Sequence, residues 1–282
     1  MPSINLAEKA SPKVLERFTL KSVTQGLSNA RYDWAGVDTV KVYTTDLLTL
    51  NDYDRTEVSG PRFGTLEEVG DTVQTMKVED DKSFNGAIDK GNNTSQLQIK
   101  AASRILKENT DNVIIPYVDK YRLGAWATNA GIKEYNVSLA KNTILETLLT
   151  SGAGMSNYNV PKTGRVLYIG ETEAIKMKLA DQVVGVDKLA EKVIVNGVMG
   201  TIDGMQVRIV PDAYMPTNCV YMIVTKNCVV APMKVETYRI LTDHPDIDGH
   251  VVQGRILHDA FVLTTHEKGV LAAFSSAAPS VS

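Results

Sequence analysis

The chain has 282 residues, of which 43% are apolar and 22% charged, and its 30 basic residues nearly balance its 33 acidic ones, giving a formal net charge of -3. A chain of this length holds one large domain or two ordinary ones and can bury a sizeable core. Its near-neutral charge excludes a strongly basic nucleic-acid-binding protein and an acidic tail protein. The chain has only two cysteines, no hydrophobic leader and no apolar run of about 20 residues. We therefore expect reduced thiols, no secretion and no membrane span.

The first 36 residues are predicted to form an arm. Ser11 followed by Pro12 is typical of a helix start, and the helix that follows has one short apolar face. Trp34 is the expected anchor of the irregular polar stretch after it. Because such an arm cannot bury its own apolar face, we expect it to pack on another surface.

A long two-stranded hairpin with a polar tip is predicted next. Residues 37–50 and 71–79 alternate as strands do, and Ser59-Gly60-Pro61 marks a turn between them. A strand over 37–50 would span about 46 Å, close to the diameter of about 50 Å of a globule of this length. Either the first strand breaks near Asp46, or the hairpin projects and needs a neighbour to lie on. The tip carries Arg55, Arg62, Phe63, Glu67 and Glu68.

A long helical pattern covers residues 94–130, with Asn93 or Thr94 as its cap. Pro116 lies inside this pattern and is expected to kink or interrupt the helix, because proline lacks the N–H and clashes with the preceding turn. One kinked helix and two separate helices both fit the pattern.

The rest of the chain is predicted to be mixed α/β. We expect a helix over 138–150 that stops at Gly152, a buried strand over 164–170 and a helix over 172–183. Short strands follow, with a tight hairpin in the glycine-rich segment 196–204. Two long strands, 234–241 and 250–267, are joined by the turn 242–249.

The sequence contains no convincing catalytic or ligand motif. Segment 244–250 alternates oxygen ligands like a calcium loop, but it starts with His244, and Arg255 stands where the bidentate glutamate belongs, so a turn explains it better. Segment 164–176 has the strand–turn–helix order of a phosphate site without its glycine spacing. We therefore predict no enzyme, no cofactor and no catalytic, cofactor-binding or metal residues.

The order of arm, projecting hairpin, long helix, mixed α/β body and final long hairpin resembles the major capsid proteins of tailed phages, which have the Hong Kong 97-type coat fold. Four segments toward the C-terminus also look like coat proteins of that class, namely GTIDGMQVRIVPD over 200–212, VAPMK over 230–234, YRI over 238–240 and GRILHDAFVL over 254–263. The resemblance covers nearly the whole chain.

The resemblance implies an α+β fold with six segments. They are an N-terminal arm (1–36), an extended loop (37–84), a peripheral domain with a spine helix (85–135), an axial domain (136–233), long strands returning to the peripheral domain (234–270) and a C-terminal tail (271–282). The turn 242–249 would then lie near three-fold axes, which adds Asp246, Asp248 and Arg255 to the hairpin-tip residues as candidate assembly contacts.

The function implied is that of a structural coat protein, which self-assembles into the pentamers and hexamers of an icosahedral head around double-stranded DNA. It would be a virion component assembled in the host cytoplasm. The expected partners are further copies of itself, a portal and packaged DNA contacted non-specifically. Because the chain begins directly at the arm, a separate scaffolding protein or prior processing is also expected.

Two other functions stay open at this point. An encapsulin-type nanocompartment has the same fold and stores a cargo enzyme. A small-molecule-binding α/β protein would use the unit 164–183. The sequence also leaves open the triangulation number, the host, crosslinking or proteolytic maturation, and whether a decoration protein binds.

Overall fold

The computed structural model describes residues 22–29, 31–32, 34, 38–56, 59–90, 102–180, 198–242 and 245–277. The predicted helix start at Ser11 and the predicted cap at Asn93 or Thr94 lie outside these residues. The described strands are, in chain order, β1 (Thr39–Thr45), β2 (Asp71–Lys77), β3 (Asp80–Asp89), β4 (Ile132–Glu134), β5 (Arg165–Gly170), β6 (Val198–Ile202), β7 (Met205–Val210), β8 (Cys219–Thr225), β9 (Val229–Val230), β10 (Met233–Leu241), β11 (Gly249–His258), β12 (Phe261–Val262) and β13 (Val270–Phe274). The described α-helices are α1 (Ala102–Asn109), α2 (Ile115–Thr128), α3 (Ile144–Asn157) and α4 (Glu171–Lys178).

Strands β1 and β2 form the predicted hairpin. They pair antiparallel from Thr39 opposite Lys77 to Thr45 opposite Asp71. A last hydrogen bond joins the two sides of the hairpin where the Asp46 N–H donates to the Gly70 carbonyl at 2.9 Å, and no strand follows in 46–56 or 59–70. Of the two expectations for this segment, the break near Asp46 is confirmed.

The long helical pattern is continuous through Pro116. Helices α1 and α2 are joined by a π-helical turn, Thr110–Ile114, in which the Ile115 N–H donates to the Thr110 carbonyl. Pro116 directly follows this widened turn, which accommodates the residue that lacks an N–H within the helical run. The expected disturbance is therefore a widened turn just before Pro116, with no break in the helical run.

A six-stranded mixed sheet, in the order β4-β13-β8-β5-β7-β6, forms the centre of the body. All six residues of β5 are buried, which agrees with the buried strand predicted over 164–170. Val166 and Tyr168 belong to one core cluster together with Trp126 of α2. Leu167 and Ile169 belong to a second cluster with residues of α3 and α4. Helices thus cover both faces of the sheet, and central strands of this kind read as continuous apolar runs.

The predicted helix over 138–150 is displaced along the chain. Helix α3 starts at Ile144 and continues to Asn157, with Gly152 buried inside it rather than ending it. The buried Arg165 of the adjacent strand β5 contacts this part of the helix, its Nη1 donating to the Gly152 carbonyl at 2.7 Å. A Cβ at Gly152 would make only ordinary van der Waals contact with the Met205 side chain, so the packing there does not demand a glycine.

A separate three-stranded antiparallel sheet has the order β10-β11-β3. The predicted strand over 250–267 is too long: β11 ends at His258, and β12 and a 3-10 turn follow it. Strand β3, which no sequence pattern predicts, occupies the edge. Gly254 of β11 is required here, since a Cβ would overlap the Phe84 ring.

Both cysteines are free and buried. Burial raises the pKa of Cys219 to about 12 and that of Cys228 to about 11, so neither thiol is activated. In the described part of the chain, no helix is long and apolar enough to cross a membrane.

Candidate assembly surface

The base of the β1–β2 hairpin is fixed to the body. Met76 of β2 is fully buried in a cluster with Val230 and Leu263. The Gln74 amide donates to the Val262 carbonyl at 2.8 Å and accepts from the Thr264 N–H at 2.9 Å. The Gln74 side chain therefore joins β2 to the end of β12 and the residue that follows it through two hydrogen bonds.

Beyond its base the hairpin exposes an unusual number of apolar side chains. Leu50 and Leu66 have relative exposures of 102% and 97%. The exposed set, which we call the apolar hairpin surface, is Tyr43, Leu47, Leu48, Leu50, Tyr53, Phe63, Leu66, Val69 and Val73. Single exposed apolar residues are normal, but a contiguous group of them marks an interaction site.

The five predicted tip residues all lie on this segment and are exposed. Phe63 packs edge-on against Tyr53 with ring centres 4.9 Å apart, and Glu67 accepts a hydrogen bond from Thr49 Oγ1 at 3.0 Å. Arg55 and Glu68 are exposed on the same segment, and the Arg62 carbonyl accepts the Asp54 N–H. The structure places this group on one exposed segment, although the tip predicted as polar is apolar over much of its surface.

The three C-terminal candidates are not brought together. Asp246 and Asp248 lie in the turn between β10 and β11, and the Asp248 carbonyl accepts the Lys90 N–H at 2.8 Å. Arg255 lies farther along β11, where its Nε and Nη2 bind Asp81 of β3 at 3.0 and 2.5 Å. This bidentate hydrogen bond lowers the pKa of the Asp81 carboxyl. Arg255 is thus a link within the sheet, at a distance along the strand from the turn.

The described residues do not support the ligand sites considered from sequence. Residues 245–248 form a turn, as predicted, and no group of three or more His, Cys, Asp or Glu residues suited to a metal occurs in the described ranges. At the start of α4, the Thr172 N–H and hydroxyl both donate to the Asp212 carboxylate. A carboxylate already occupies the position where a phosphate would bind.

The glycine-rich segment forms the predicted hairpin in its described part. Strands β6 and β7 pair antiparallel, and Asp203 and Gly204 between them have φ of 47° and 78°. Two consecutive positive φ values are typical of a two-residue hairpin turn. Asn196 and Gly197 lie outside the described residues.

A buried aspartate that no sequence pattern indicates fixes residues 22–24 to the body. Asp119 of α2 is fully buried and accepts hydrogen bonds from Ser22 Oγ at 2.7 Å, the Val23 N–H at 2.8 Å and Thr24 Oγ1 at 2.6 Å. Arg208 adds a hydrogen bond to the Val23 carbonyl at 2.6 Å. One aspartate in a helical pattern carries no local signal of such a role.

A scan against protein-family models and a search of curated protein sequences each give no match. Solved structures do match. A chain of Mycobacterium phage Che8 aligns with a TM-score of 0.77 at 14% identity, covering 96% of this chain and 97% of that one. A chain of the bacteriophage PhiM1 mature capsid aligns with a TM-score of 0.72 at 10% identity, covering 96% of this chain and 92% of that one. The chain has the Hong Kong 97-type capsid fold.

Shells of different origin share this capsid fold. The acidic stable capsid of Helicobacter pylori bacteriophage KHP30 aligns with a TM-score of 0.68 at 11% identity, covering 96% of each chain. A virus-like particle from Pyrococcus furiosus aligns with a TM-score of 0.53 at 10% identity, covering 84% of this chain and 86% of that one. The predicted α+β class and capsid-type fold are therefore confirmed.

Proposed function

We propose that this chain is a major capsid protein, a structural and non-enzymatic subunit that assembles with further copies of itself into an icosahedral phage head. The observation that carries the proposal is the end-to-end match to phage structures, at 96% of this chain and 97% of the first of them. A likeness limited to a common core would not extend over both the body and the hairpin.

The apolar hairpin surface supports the proposal independently. Leu50 and Leu66 gain about 1.5–3 kcal/mol each on full burial. The described residues of the same chain do not cover them. Burial on a second copy would recover this free energy, which makes assembly favourable in many small, repeated contacts.

The finer parts of the proposal follow the segment order. Residues 1–36 form the arm, 37–84 the extended loop, 85–135 and 234–270 the peripheral domain, 136–233 the axial domain and 271–282 the tail. Arg55, Arg62, Phe63, Glu67 and Glu68 contact a neighbouring subunit within pentamers and hexamers. Asp246 and Asp248, with Arg255 bracing the sheet behind them, contact neighbours near three-fold axes.

Other components of a phage head complete the set of proposed partners. A scaffolding protein directs assembly in the host cytoplasm, a portal occupies one vertex, and double-stranded DNA lines the inner wall of the virion shell. A net charge of -3 suits a shell wall that contacts DNA but binds it only weakly. A decoration protein on the outer surface of the shell is a further proposed partner.

Replacing the two most exposed leucines tests the proposal. We expect the double variant Leu50→Ser with Leu66→Ser to fold but to assemble poorly, because about 3–6 kcal/mol of burial per subunit is lost. Assembly is measured by sedimentation and electron microscopy, with the scaffold co-expressed. The control, Asp52→Ser with Thr65→Ser, introduces the same residue at two exposed polar positions of the hairpin and should form normal shells. Normal shells from the leucine variant would contradict the assigned surface, and a wild-type chain that stays monomeric would contradict the function.

A nanocompartment shell is the second candidate, supported by the Pyrococcus furiosus match. Its lower TM-score and coverage than those of the phage structures favour the phage head. The contents of native particles separate the two functions. Double-stranded DNA of constant length indicates a phage head, whereas an enclosed cargo protein without DNA indicates a compartment.

A further inference from the structure

A buried histidine occupies the junction between the hairpin base, the three-stranded sheet and α2. His258 is the last residue of β11, and its side chain is fully buried. Its ring lies edge-on against Tyr121 and Tyr117 of α2, with ring centres 5.1 and 5.8 Å apart. Its Nε2 lies 3.0 Å from Oδ2 of Asp80, the first residue of β3.

The groups around His258 connect the hairpin base to α2. Asp80 Oδ2 accepts a hydrogen bond from the Tyr117 hydroxyl at 2.9 Å. Asp259 accepts one from the Tyr121 hydroxyl at 2.9 Å and another from the Glu79 N–H at 3.1 Å. Only two residues separate the end of β2 from Asp80, and Glu79 is one of them. A movement of the hairpin base away from α2 would therefore break contacts of this cluster.

The site fits a neutral imidazole better than a charged one. Neither ring nitrogen makes a hydrogen bond of good geometry with the described residues, despite the short distance to Asp80. A second ring proton would thus be a buried donor without an acceptor, which is costly. Burial accordingly lowers the pKa of His258, and the attraction of Asp80 does not offset it.

Charged groups of both signs face His258 from the neighbouring elements. Strand β3 contributes Asp80 and Lys82, α2 contributes Arg122, and Asp259 follows the histidine in the chain. The titratable hydroxyls of Tyr117 and Tyr121 complete the surroundings. Asp80 and Asp259 favour the imidazolium, whereas Arg122 and Lys82 oppose it, so the burial of the ring is what disfavours protonation.

We propose that His258 is an acid-sensitive latch: the neutral ring holds the hairpin base against α2, and protonation releases the base so that the hairpin can move relative to the body. The proposal concerns the isolated subunit and stands whether or not the chain forms a phage head.

The direction of the pH effect follows from the lowered pKa. A histidine that is harder to protonate in the closed state stabilises that state above its ordinary pKa of about 6.5. This contribution is lost as the pH falls below that value toward the lower pKa of the closed state. At pH 5.5 the open state should be favoured by up to about tenfold over pH 7.5.

Hydrogen exchange on the full-length chain tests the latch. Protection of the backbone amides in 76–82, corrected for intrinsic exchange rates, should fall by up to about tenfold between pH 7.5 and 5.5. His258→Gln cannot titrate and should remove this pH dependence. His250→Gln, at an exposed position of the same strand, is the matched control and should retain it. An unchanged wild-type protection, or an equal pH dependence in His258→Gln, would overturn the proposal.

A titration of the wild-type chain keeps the proposal testable if His258→Gln does not fold. In full-length protein with 13C-labelled histidine, the His258 resonance should titrate at a lower pH than the same residue in the urea-unfolded chain. Equal midpoints in the folded and unfolded chain would exclude a latch.

Discussion

Strand β5 and the β1–β2 hairpin are both β-structure, but they differ in what covers them. All six residues of β5 are buried between helices of the same chain. On β1 the burial only alternates between exposed and half-buried, and the segment beyond it exposes Leu47 and Leu50 almost completely. The body thus obtains its core from its own residues, whereas the hairpin has a covered base and an uncovered outer part.

This contrast shows that one backbone conformation serves two purposes in the molecule. Strand pairing alone gives little stability to a two-stranded hairpin in water. In this chain Met76 and the Gln74 amide secure the base, and the rest of the hairpin remains available for contact. Stability of the subunit and assembly of subunits should therefore respond to different substitutions.

The sharpest test exchanges leucine for alanine in both regions. Leu167→Ala, in the fully buried centre of β5, should lower the free energy of unfolding by about 3–5 kcal/mol, because it leaves a cavity between the helices. Leu66→Ala, at 97% exposure, should change it by less than about 0.5 kcal/mol. Urea unfolding of unassembled subunits measures both. Similar values for the two variants would show that the hairpin belongs to the core.

The next largest effect on the free energy of unfolding is expected at Asp119, where residues 22–24 bind the body. Asp119→Ala should lower the free energy of unfolding by about 2–4 kcal/mol, since it leaves buried donors of these residues without their acceptor. Asp52→Ala on the exposed hairpin is the control and should leave the urea midpoint unchanged. If Asp119→Ala unfolds at the wild-type midpoint, these hydrogen bonds do not hold the segment in solution.

The largest change in sequence should have only a small effect on stability. Deleting residues 51–64 removes exposed chain and shortens the loop, so the free energy of unfolding of the subunit should change by no more than about 1 kcal/mol. Shell formation, followed by electron microscopy, should nevertheless be lost. A deletion variant that fails to fold would show that the tip supports the body.

Much of the fold was predictable because local patterns reflect local burial. The alternation over 37–50 and 71–79 predicted the hairpin, and the continuous apolar run over 164–170 predicted β5. The order of segments was sufficient to suggest the capsid fold, which the structural matches support across nearly the whole chain. The five tip residues were also placed on one exposed segment, although their role as contacts stays a prediction.

Other elements were missed because distant residues determine them. Strand β3 has a largely polar sequence and shows little alternation, since it lies at a sheet edge where Phe84 and Ile88 are its covered apolar side chains. Gly152 looked like a helix stop, but Arg165 binds its carbonyl inside α3. Arg255 was grouped with the turn at 242–249, whereas the structure pairs it with Asp81.

By itself the sequence determined where most strands and helices form, that the fold is α+β, and that a two-stranded hairpin precedes the long helix, although its apolar outer surface emerged only from the structure. Only the tertiary structure decided where strand β1 ends, that β3 completes the second sheet, and that Asp119 and His258 lie at the two joints of the body. The physical reason is the distance along the chain between the residues that interact. Periodicity reports the burial of neighbouring residues, while a buried charge or imidazole depends on partners far away in the chain, such as Ser22 for Asp119 and Asp80 for His258.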